Sequence, residues 1–258
     1  PQDVLITVMR KHQRYFPILR DASILPYFVA VANGNSAHVA NIREGNEAVL
    51  RARFADAAYF VKRDRQQRLA DFVPDLDRMT VHARLGSLLA KTERLERLAP
   101  VLAERLGLTA AETADLARAA RLSKADIATQ MGTELTGLQG AIGRDYALGD
   151  GEPEAVALAL YEQYLPKSAT GRLPSSRVGF ALSVADRLDT LLGMFAVGQT
   201  PTATADPLGL RRTALGLVRL RVRRVVPVAL GERLAGVDAA ERQRVKHDHH
   251  GRGLRRRR

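Results

Sequence analysis

Near the start of the chain, basic and aromatic residues that could bind RNA follow one another closely. Arg10, Lys11 and Arg14 supply positive charge, and Tyr15 and Phe16 supply aromatic rings. Cations bind phosphates, and exposed aromatic rings can stack on unpaired bases. The same residues also have a structural interpretation, in which a solvated helix end leads into a strand of the core, and the sequence leaves both interpretations open.

Three aspartates and one histidine could supply ligands to a metal ion. They are His82, Asp126, Asp186 and Asp189. Asp189 falls on the apolar stripe of a predicted helix, where a carboxylate is costly to bury unless it is paired or bound to a metal. One histidine with two or three carboxylates is a short ligand set for a hard-metal or two-metal site. We therefore expect a salt-bridge network between helices instead, with Lys124 and Arg187 as its cations.

Two arginines follow a signal for the start of a helix. In Asp206-Pro207, we expect the aspartate to cap the helix and the proline to take its first position. Arg211 and Arg212 then lie in the first turns, on the side away from the apolar residues. Such a pair either clamps a phosphate or simply faces water, and both interpretations stay open.

Positive charge is concentrated at the end of the chain. The 258 residues carry 40 Lys and Arg against 28 Asp and Glu, a net charge of +12. Residues 211–258 hold 15 basic and 4 acidic residues, whereas residues 1–210 hold 25 and 24. A basic tail of this kind binds nucleic acid without sequence preference. Because the rest of the chain is almost neutral, the overall basicity says little about it.

Composition and motifs exclude several classes of protein. The chain has no cysteine, which excludes disulfides, thiolate metal sites and a cysteine nucleophile. Its apolar runs are interrupted every few residues by charged side chains, so no membrane span is predicted. It opens Pro1-Gln2-Asp3 without an initiator methionine or a signal peptide, and we expect a cytoplasmic protein, present as a fragment or a trimmed product. No catalytic residue is assigned, because the phosphate-loop, dinucleotide-binding, serine-hydrolase and zinc-protease motifs are all missing.

Periodicity predicts one β-hairpin followed by helices. A short helix precedes the hairpin, whose predicted strands are Tyr15–Leu19 and Tyr27–Val31. From about residue 41 onward, leucines at three- and four-residue spacing are typical of amphipathic helices. Helix starts are predicted at a capping box formed by Thr109 and Glu112, at Asp150 or Pro153, and at Ser175 or Ser176. The helix after Ser176 should bury one stripe of side chains, namely Val178, Ala181, Ala185, Leu188 and Leu192.

An ordered series of motifs resembles the β subunit of bacterial glycyl-tRNA synthetase. It begins with Val8-Met9-Arg10-Lys11-His12-Gln13-Arg14-Tyr15-Phe16-Pro17 and continues through residues 25–33, 45–53 and 56–60. It goes on with Leu85-Gly86-Ser87-Leu88, Lys124-Ala125-Asp126, Tyr164-Leu165-Pro166, Ala185-Asp186-Arg187-Leu188-Asp189 and residues 198–212. The order and spacing of these segments are similar to the family from about residue 4 to about residue 220.

The resemblance implies a division of labour between two subunits. In the family, an α chain activates glycine with ATP, where Mg²⁺ is also expected, and a multidomain β chain binds tRNA. The middle of the β chain includes a helical domain similar to the His-Asp metal-dependent phosphohydrolases. His82, Asp126 and Asp186 fall where three metal ligands of that superfamily would be, but Lys124-Ala125 stands where the central histidine belongs. The resemblance therefore implies a dismantled metal site, with neither a metal nor another cofactor in this chain.

Together these observations predict a mainly α fold. We expect a helical bundle related to the His-Asp phosphohydrolase domain, preceded by a small α+β piece with a β-hairpin. The predicted parts are a small α+β segment (1–60), the helical His-Asp-like domain (61–198), a linker and helix with the arginine pair (199–220), and a basic, weakly ordered tail (221–258).

The predicted function is tRNA binding within a glycine–tRNA ligase, with the chain itself non-catalytic. The expected RNA-binding residues are Arg10, Lys11, Arg14, Tyr15, Arg51, Arg53, Arg211 and Arg212. The expected partners are tRNA(Gly) and the α subunit, with a second β subunit as a further candidate and no membrane. Two alternatives remain, a phosphohydrolase with a divalent metal between His82, Asp126 and Asp186, and a fragment whose role is only structural packing.

Overall fold

The chain is mainly helical, as predicted. The computed structural model describes residues 1–223, so most of the predicted basic tail lies outside the described residues. The α-helices of the described part are α1 (Gln2–Thr7), α2 (Val39–Asp64), α3 (Leu88–Leu106), α4 (Ala110–Leu122), α5 (Gln130–Glu134), α6 (Ala141–Gly149), α7 (Glu154–Glu162), α8 (Arg177–Ala196) and α9 (Leu210–Arg223). The strands are β1 (Phe16–Arg20), β2 (Ser23–Val29), β3 (Thr80–His82) and β4 (Gly86–Ser87).

The first hairpin was predicted, but its second strand begins earlier than expected. β1 and β2 pair antiparallel around a two-residue turn in which Asp21 and Ala22 both adopt left-handed backbone angles, with φ of 48° and 65°. Such a turn matches the twist of paired strands. β2 starts at Ser23 and runs through Pro26, which the sequence indicated as a break. The strand register shifts between the pairs Pro17–Phe28 and Leu19–Ile24, and Pro26 lies in this irregular stretch of β2. Proline is tolerated at such a position, because it has no amide hydrogen to donate to the partner strand.

A second, smaller hairpin was not predicted. β3 and β4 pair antiparallel, with Thr80 opposite Ser87 and His82 opposite Gly86. The expectation of a single β region was therefore wrong. Strands of three and two residues are too short for the alternation of apolar and polar residues to be recognised in the sequence.

The core of the helical part lies between α3, α4, α7 and α8, which pack against one another. Leu95, Leu102, Leu116, Leu160 and Leu182 are among its fully buried side chains. Burying a leucine side chain contributes on the order of 2 kcal/mol relative to exposure, so this cluster supplies much of the free energy that orders the helices.

Two of the predicted helix caps are present, whereas α7 begins after Pro153 without a side-chain cap. Thr109 and Glu112 form the reciprocal capping box of α4, and the Ser176 hydroxyl accepts a hydrogen bond from the amide of Gly179 at the start of α8. The side chains predicted to be buried along α8 are buried in the first half of the helix. The prediction is wrong at the end of the helix, where Leu192 is 46% exposed and Leu191 is buried instead.

Residues 1–220 form one compact unit. Helix α2 continues through the predicted boundary at residues 60–61. Helix α9 begins at Leu210, three residues later than the sequence indicated, so Pro207 does not take its first position. Leu210 packs with Leu191 of α8, and this small apolar cluster attaches α9 to the rest of the unit.

Candidate nucleic-acid interface

Three of the predicted RNA-binding cations lie between α1 and the first hairpin. Arg10, Lys11 and Arg14 are all exposed. Residues 8–12 form a wide helical turn that packs against α2, and Arg14 then takes a left-handed backbone angle, with φ of 56°, before β1. Non-glycine residues rarely adopt this conformation, and it falls between the helical residues 8–12 and β1.

Tyr15 is buried, which differs from the expectation that it offers a stacking face to a base. Its side chain is only 8% exposed, its ring stacks on Phe28 at 4.9 Å between centroids, and its hydroxyl donates to Asn46 Oδ1 at 2.9 Å. Tyr15 thus fastens the hairpin to α2. The exposed rings of this hairpin are Phe16 and Tyr27, at 58% and 64%.

Arg51 and Arg53 lie on α2 and are both exposed. Arg51 pairs with Glu47 one turn earlier, at 2.8 Å. An exposed pair of this spacing is worth only a few tenths of a kcal/mol, so a stronger anion can displace it. Helix α2 packs against the turn of residues 8–12, which contains Arg10 and Lys11. Arg51 and Arg53 therefore lie on the helix that is next to that turn.

Arg211 and Arg212 lie in the first turn of α9 and are both exposed. The Asp206 carboxylate accepts hydrogen bonds from the amides of Leu210 and Arg211, at 2.8 and 2.9 Å. These bonds, chiefly that from Arg211, lower the pKa of Asp206. The Arg211 guanidinium also donates to the carbonyl of Thr202, which closes the loop before α9. Asp206 therefore binds two amides of the first turn of α9, but the prediction that it is the N-cap residue was wrong, because the helix begins only at Leu210.

A network of buried charges occupies the middle of the helical part. Asp186 Oδ1 lies 3.0 Å from Nζ of both Lys91 and Lys124. Lys91 also lies 2.9 Å from Asp189 Oδ2, and Arg94 grips Asp189 through Nε and Nη2 at 2.5 and 3.2 Å. Three cations therefore neutralise two carboxylates, and this network joins α3, α8 and the segment that follows α4.

Burial and ion pairing shift the pKa values of this network in opposite directions. Burial alone would raise the pKa of Asp186, but the ammonium groups of Lys124 and Lys91 outweigh it and hold that pKa below its usual value. Burial lowers the pKa of Lys124, and Asp186 offsets only part of that effect. The pKa of Lys91 is raised because Asp186 and Asp189 together overcome its burial. Lys124 also donates to Gln163 Oε1 at 2.9 Å, so its charge is supported on two sides.

The three residues predicted at metal-ligand positions have other partners or engagements in the fold. His82 Nδ1 accepts the amide of Arg84 at 3.1 Å, within its own hairpin. Asp126 accepts the amide of Gly140 at 2.6 Å and the hydroxyl of Tyr164 at 3.1 Å, and burial raises the pKa of Asp126. Within residues 1–223, no group of three or more His, Asp and Glu side chains is placed to hold a metal ion.

The residues present do not fit a divalent metal ion. Two ammonium groups already lie within 3.0 Å of Asp186, where a metal would meet strong charge repulsion. His82 Nδ1 and the Asp126 carboxylate already accept hydrogen bonds from the backbone amides of Arg84 and Gly140. Protein-derived cations thus fill the charge-balancing role that a metal has in such a site.

Comparison with known proteins identifies the family. The family model described as "Glycyl-tRNA synthetase beta subunit" matches residues 1–250. This chain belongs to the glycyl-tRNA synthetase beta subunit family. Proteins named "Glycine--tRNA ligase beta subunit" are 47% identical in Streptococcus gordonii, over 85% of this chain and 32% of that protein, and 44% in Clostridioides difficile, over 88% and 33%. The Desulforudis audaxviator protein of the same name is 49% identical, over 85% and 32%.

The resemblance stated from the motifs is therefore confirmed. The chain spans about a third of the length of the curated relatives it matches. The relation of its helical part to the His-Asp phosphohydrolases stays a prediction. No helix among residues 1–223 is long and apolar enough to cross a membrane.

The sequence predicted only part of the buried charge network. Lys124 was predicted as a partner of the aspartates and is one. Arg187 was predicted as the second partner and is not, because it donates to the carbonyls of Gln163 and Pro166 instead. Lys91 was missed, although it stands four residues before the fully buried Leu95 and so lies on the apolar stripe of α3.

Proposed function

We propose that this chain is a tRNA-binding part of a glycyl-tRNA synthetase β subunit, and that it supports the attachment of glycine to tRNA(Gly) by an α subunit. One observation carries the proposal, namely that every predicted RNA-binding cation is exposed in the folded chain. These cations are Arg10, Lys11, Arg14, Arg51, Arg53, Arg211 and Arg212. Two other basic side chains, Lys91 and Lys124, are instead buried in ion pairs.

Binding of this kind rests on phosphate contacts and on the shape of the RNA. An A-form stem hides the base edges of its deep groove from side chains, so exposed arginines and lysines meet mainly the sugar-phosphate backbone. The helical scaffold holds these cations in place before RNA arrives, which reduces the entropy lost on binding.

No residue of this chain is assigned a catalytic role. ATP and Mg²⁺ belong to the α subunit in this proposal, which is also the principal protein partner. A contact with a second β subunit is a further part of the proposal, as is a cytoplasmic location. The phosphohydrolase alternative loses support, because Lys91 and Lys124 place their charges on the carboxylate that would have to bind the metal.

The proposal is tested by removing two of these exposed arginines, Arg53 and Arg212. Arg53→Ala with Arg212→Ala should lower the slope of log affinity for tRNA(Gly) against log salt by about 1.4 to 1.8, at about 0.7 to 0.9 for each lost contact. Arg97→Ala with Arg105→Ala is the matched control, since it removes the same charge from exposed positions on α3. Equal slopes for the two double variants would refute specific contacts and favour a purely structural role.

A further inference from the structure

Two cations approach the ring of Tyr161 at the end of α7. The guanidinium carbon of Arg144, on α6, lies 5.2 Å from the ring centroid, and Nζ of Lys167 lies 5.7 Å from the same centroid. Lys167 also donates to the carbonyl of Gln139 at 3.3 Å, and Arg144 lies 3.7 Å from the carboxylate of Asp3. Both cations are therefore held in defined positions, at 23 residues' separation in the sequence.

A third cation, Lys11 from the start of the chain, lies near Lys167. The ammonium group of Lys11 lies beside Gly137, where an added Cβ would collide with it. Burial, and after it the charge of Lys11, lower the pKa of Lys167, so the two ammonium groups are close enough to repel each other. Lys11, Arg144 and Lys167 together carry three positive charges, and the carboxylates that act on them are Asp3, which pairs with Arg144, and the buried Asp126, which acts on Lys167.

We propose that Lys11, Arg144 and Lys167 form a phosphate-binding site for the sugar-phosphate backbone of RNA. The inference rests on the proposed RNA-binding function and deepens it, because Arg144 and Lys167 carry none of the sequence motifs from which RNA contacts were predicted. Cations that lie close together repel each other, and an anion bound between them removes this unfavourable electrostatic free energy. The site also joins two parts of the fold, since Lys11 precedes the first hairpin while the other two belong to the helical part.

An RNA backbone suits this surface better than an isolated anion. Lys11 is one member of an exposed run that also includes Arg10 and Arg14. A backbone that crosses this run can continue to Arg144 and Lys167, because it presents negative charges at regular intervals. Tyr161 contributes mainly by supporting the two cations that lie near its ring, through cation–π attraction.

The test uses the full chain with Lys11→Gln and Lys167→Gln together, and tRNA(Gly) as the probe. The salt slope should fall in magnitude by about 1.4 to 1.8, because two phosphate contacts are lost. Lys11→Arg with Lys167→Arg should keep the slope, since the charges remain. Arg97→Gln with Arg105→Gln serves as the matched control and should also keep it.

Stability provides a second readout that a structural role would not reproduce. Removing two mutually repelling ammonium groups should leave the thermal midpoint of the glutamine variant unchanged or higher, while its RNA affinity falls. A lower midpoint, together with equal loss of affinity in the arginine variant, would show that these lysines only support the fold and would overturn the proposal.

The outcomes separate this site from the broader function. The glutamine variant could keep the salt slope of the unaltered chain while Arg53→Ala with Arg212→Ala reduces it. The proposed site would then be refuted, and the broader proposal that the chain binds RNA would stand. If the unaltered chain does not bind tRNA(Gly) at about 50 mM salt, both are wrong. Inorganic phosphate at millimolar concentration should compete weakly, and complete competition by it would indicate a site for free phosphate and overturn the RNA assignment.

Discussion

Asp186→Asn should destabilise the chain more than any surface substitution of the same kind. The Asp186 side chain is 17% exposed, and one of its oxygens lies 3.0 Å from two ammonium groups. The amide of an asparagine carries no charge, so Lys124 would keep Gln163, the ring face of Tyr164 and the weaker, more distant attraction of Asp126. The folded state would then hold a buried ammonium group without an ion-pair partner, which is among the costly defects a core can contain.

The magnitude follows from the two distances. At 3.0 Å and an effective dielectric constant of about 20, each pair attracts by about 5.5 kcal/mol. Desolvation of each ion costs several kcal/mol and the two lysines repel each other, so most of this attraction is offset. Breaking a buried pair by removing one partner leaves a net loss of about 3 to 5 kcal/mol.

The assay is urea denaturation followed by far-ultraviolet circular dichroism, near pH 7. Asp56→Asn is the matched control, because Asp56 is exposed on α2, and its cost should stay within about 0.5 kcal/mol. Lys124→Met added to Asp186→Asn should recover part of the loss, since it removes the unpaired charge. A loss below about 1 kcal/mol for Asp186→Asn, or no recovery in the double variant, would refute the reasoning.

The pH dependence has a defined sign. Lys124 and Lys91 hold the pKa of Asp186 below its usual 3.8 in the folded state. A depressed carboxyl pKa stabilises the fold fully above the pKa of the unfolded chain, about 3.9, and that stabilisation is lost as the pH falls through the folded pKa. The stability difference between the unaltered chain and Asp186→Asn should therefore be constant from about pH 7 to pH 5 and shrink below about pH 4.

Three further substitutions test individual contacts by urea denaturation. Tyr15→Phe removes the hydroxyl that donates to Asn46 and should cost about 1 kcal/mol without changing tRNA affinity; a loss of affinity would restore Tyr15 as an RNA contact. Thr109→Ala removes the cap of α4 and should cost about 1 kcal/mol, and no measurable cost would show that the capping box is not formed. Gly140→Ala should cost about 2 kcal/mol or more, because φ is +82° and the new Cβ would lie 2.7 Å from the ring of Tyr164; a neutral effect would contradict this backbone conformation.

Local signals predicted the parts of the fold that depend on neighbouring residues. The capping box at Thr109, the cap at Ser176 and the first hairpin each depend on residues that are close in the sequence, and each is present. The second hairpin has no comparable signal, because its strands are shorter than the roughly four to eight residues over which apolar alternation is recognised.

Long-range pairing could not be predicted in the same way. Lys91 and Arg94 are separated from Asp189 by 98 and 95 residues, and only the packing of α3 on α8 brings them together. The buried position of Tyr15 likewise depends on Asn46 of another element. The group formed by Lys11, Arg144 and Lys167 requires three separate segments to meet, so no local motif indicates it.

The most direct test is a titration of tRNA(Gly) with a chain that ends after Arg223, at about 50 mM and about 200 mM salt. If the helical part carries the RNA contacts, this shortened chain should bind at the lower salt. Its log–log salt slope should be about −5 to −6 if the predicted RNA-binding cations, Arg10, Lys11, Arg14, Arg51, Arg53, Arg211 and Arg212, all make contact. If the shortened chain fails to bind at about 50 mM salt while the full chain binds, the contacts belong to the basic end of the chain, and the assignment to the helical part is contradicted.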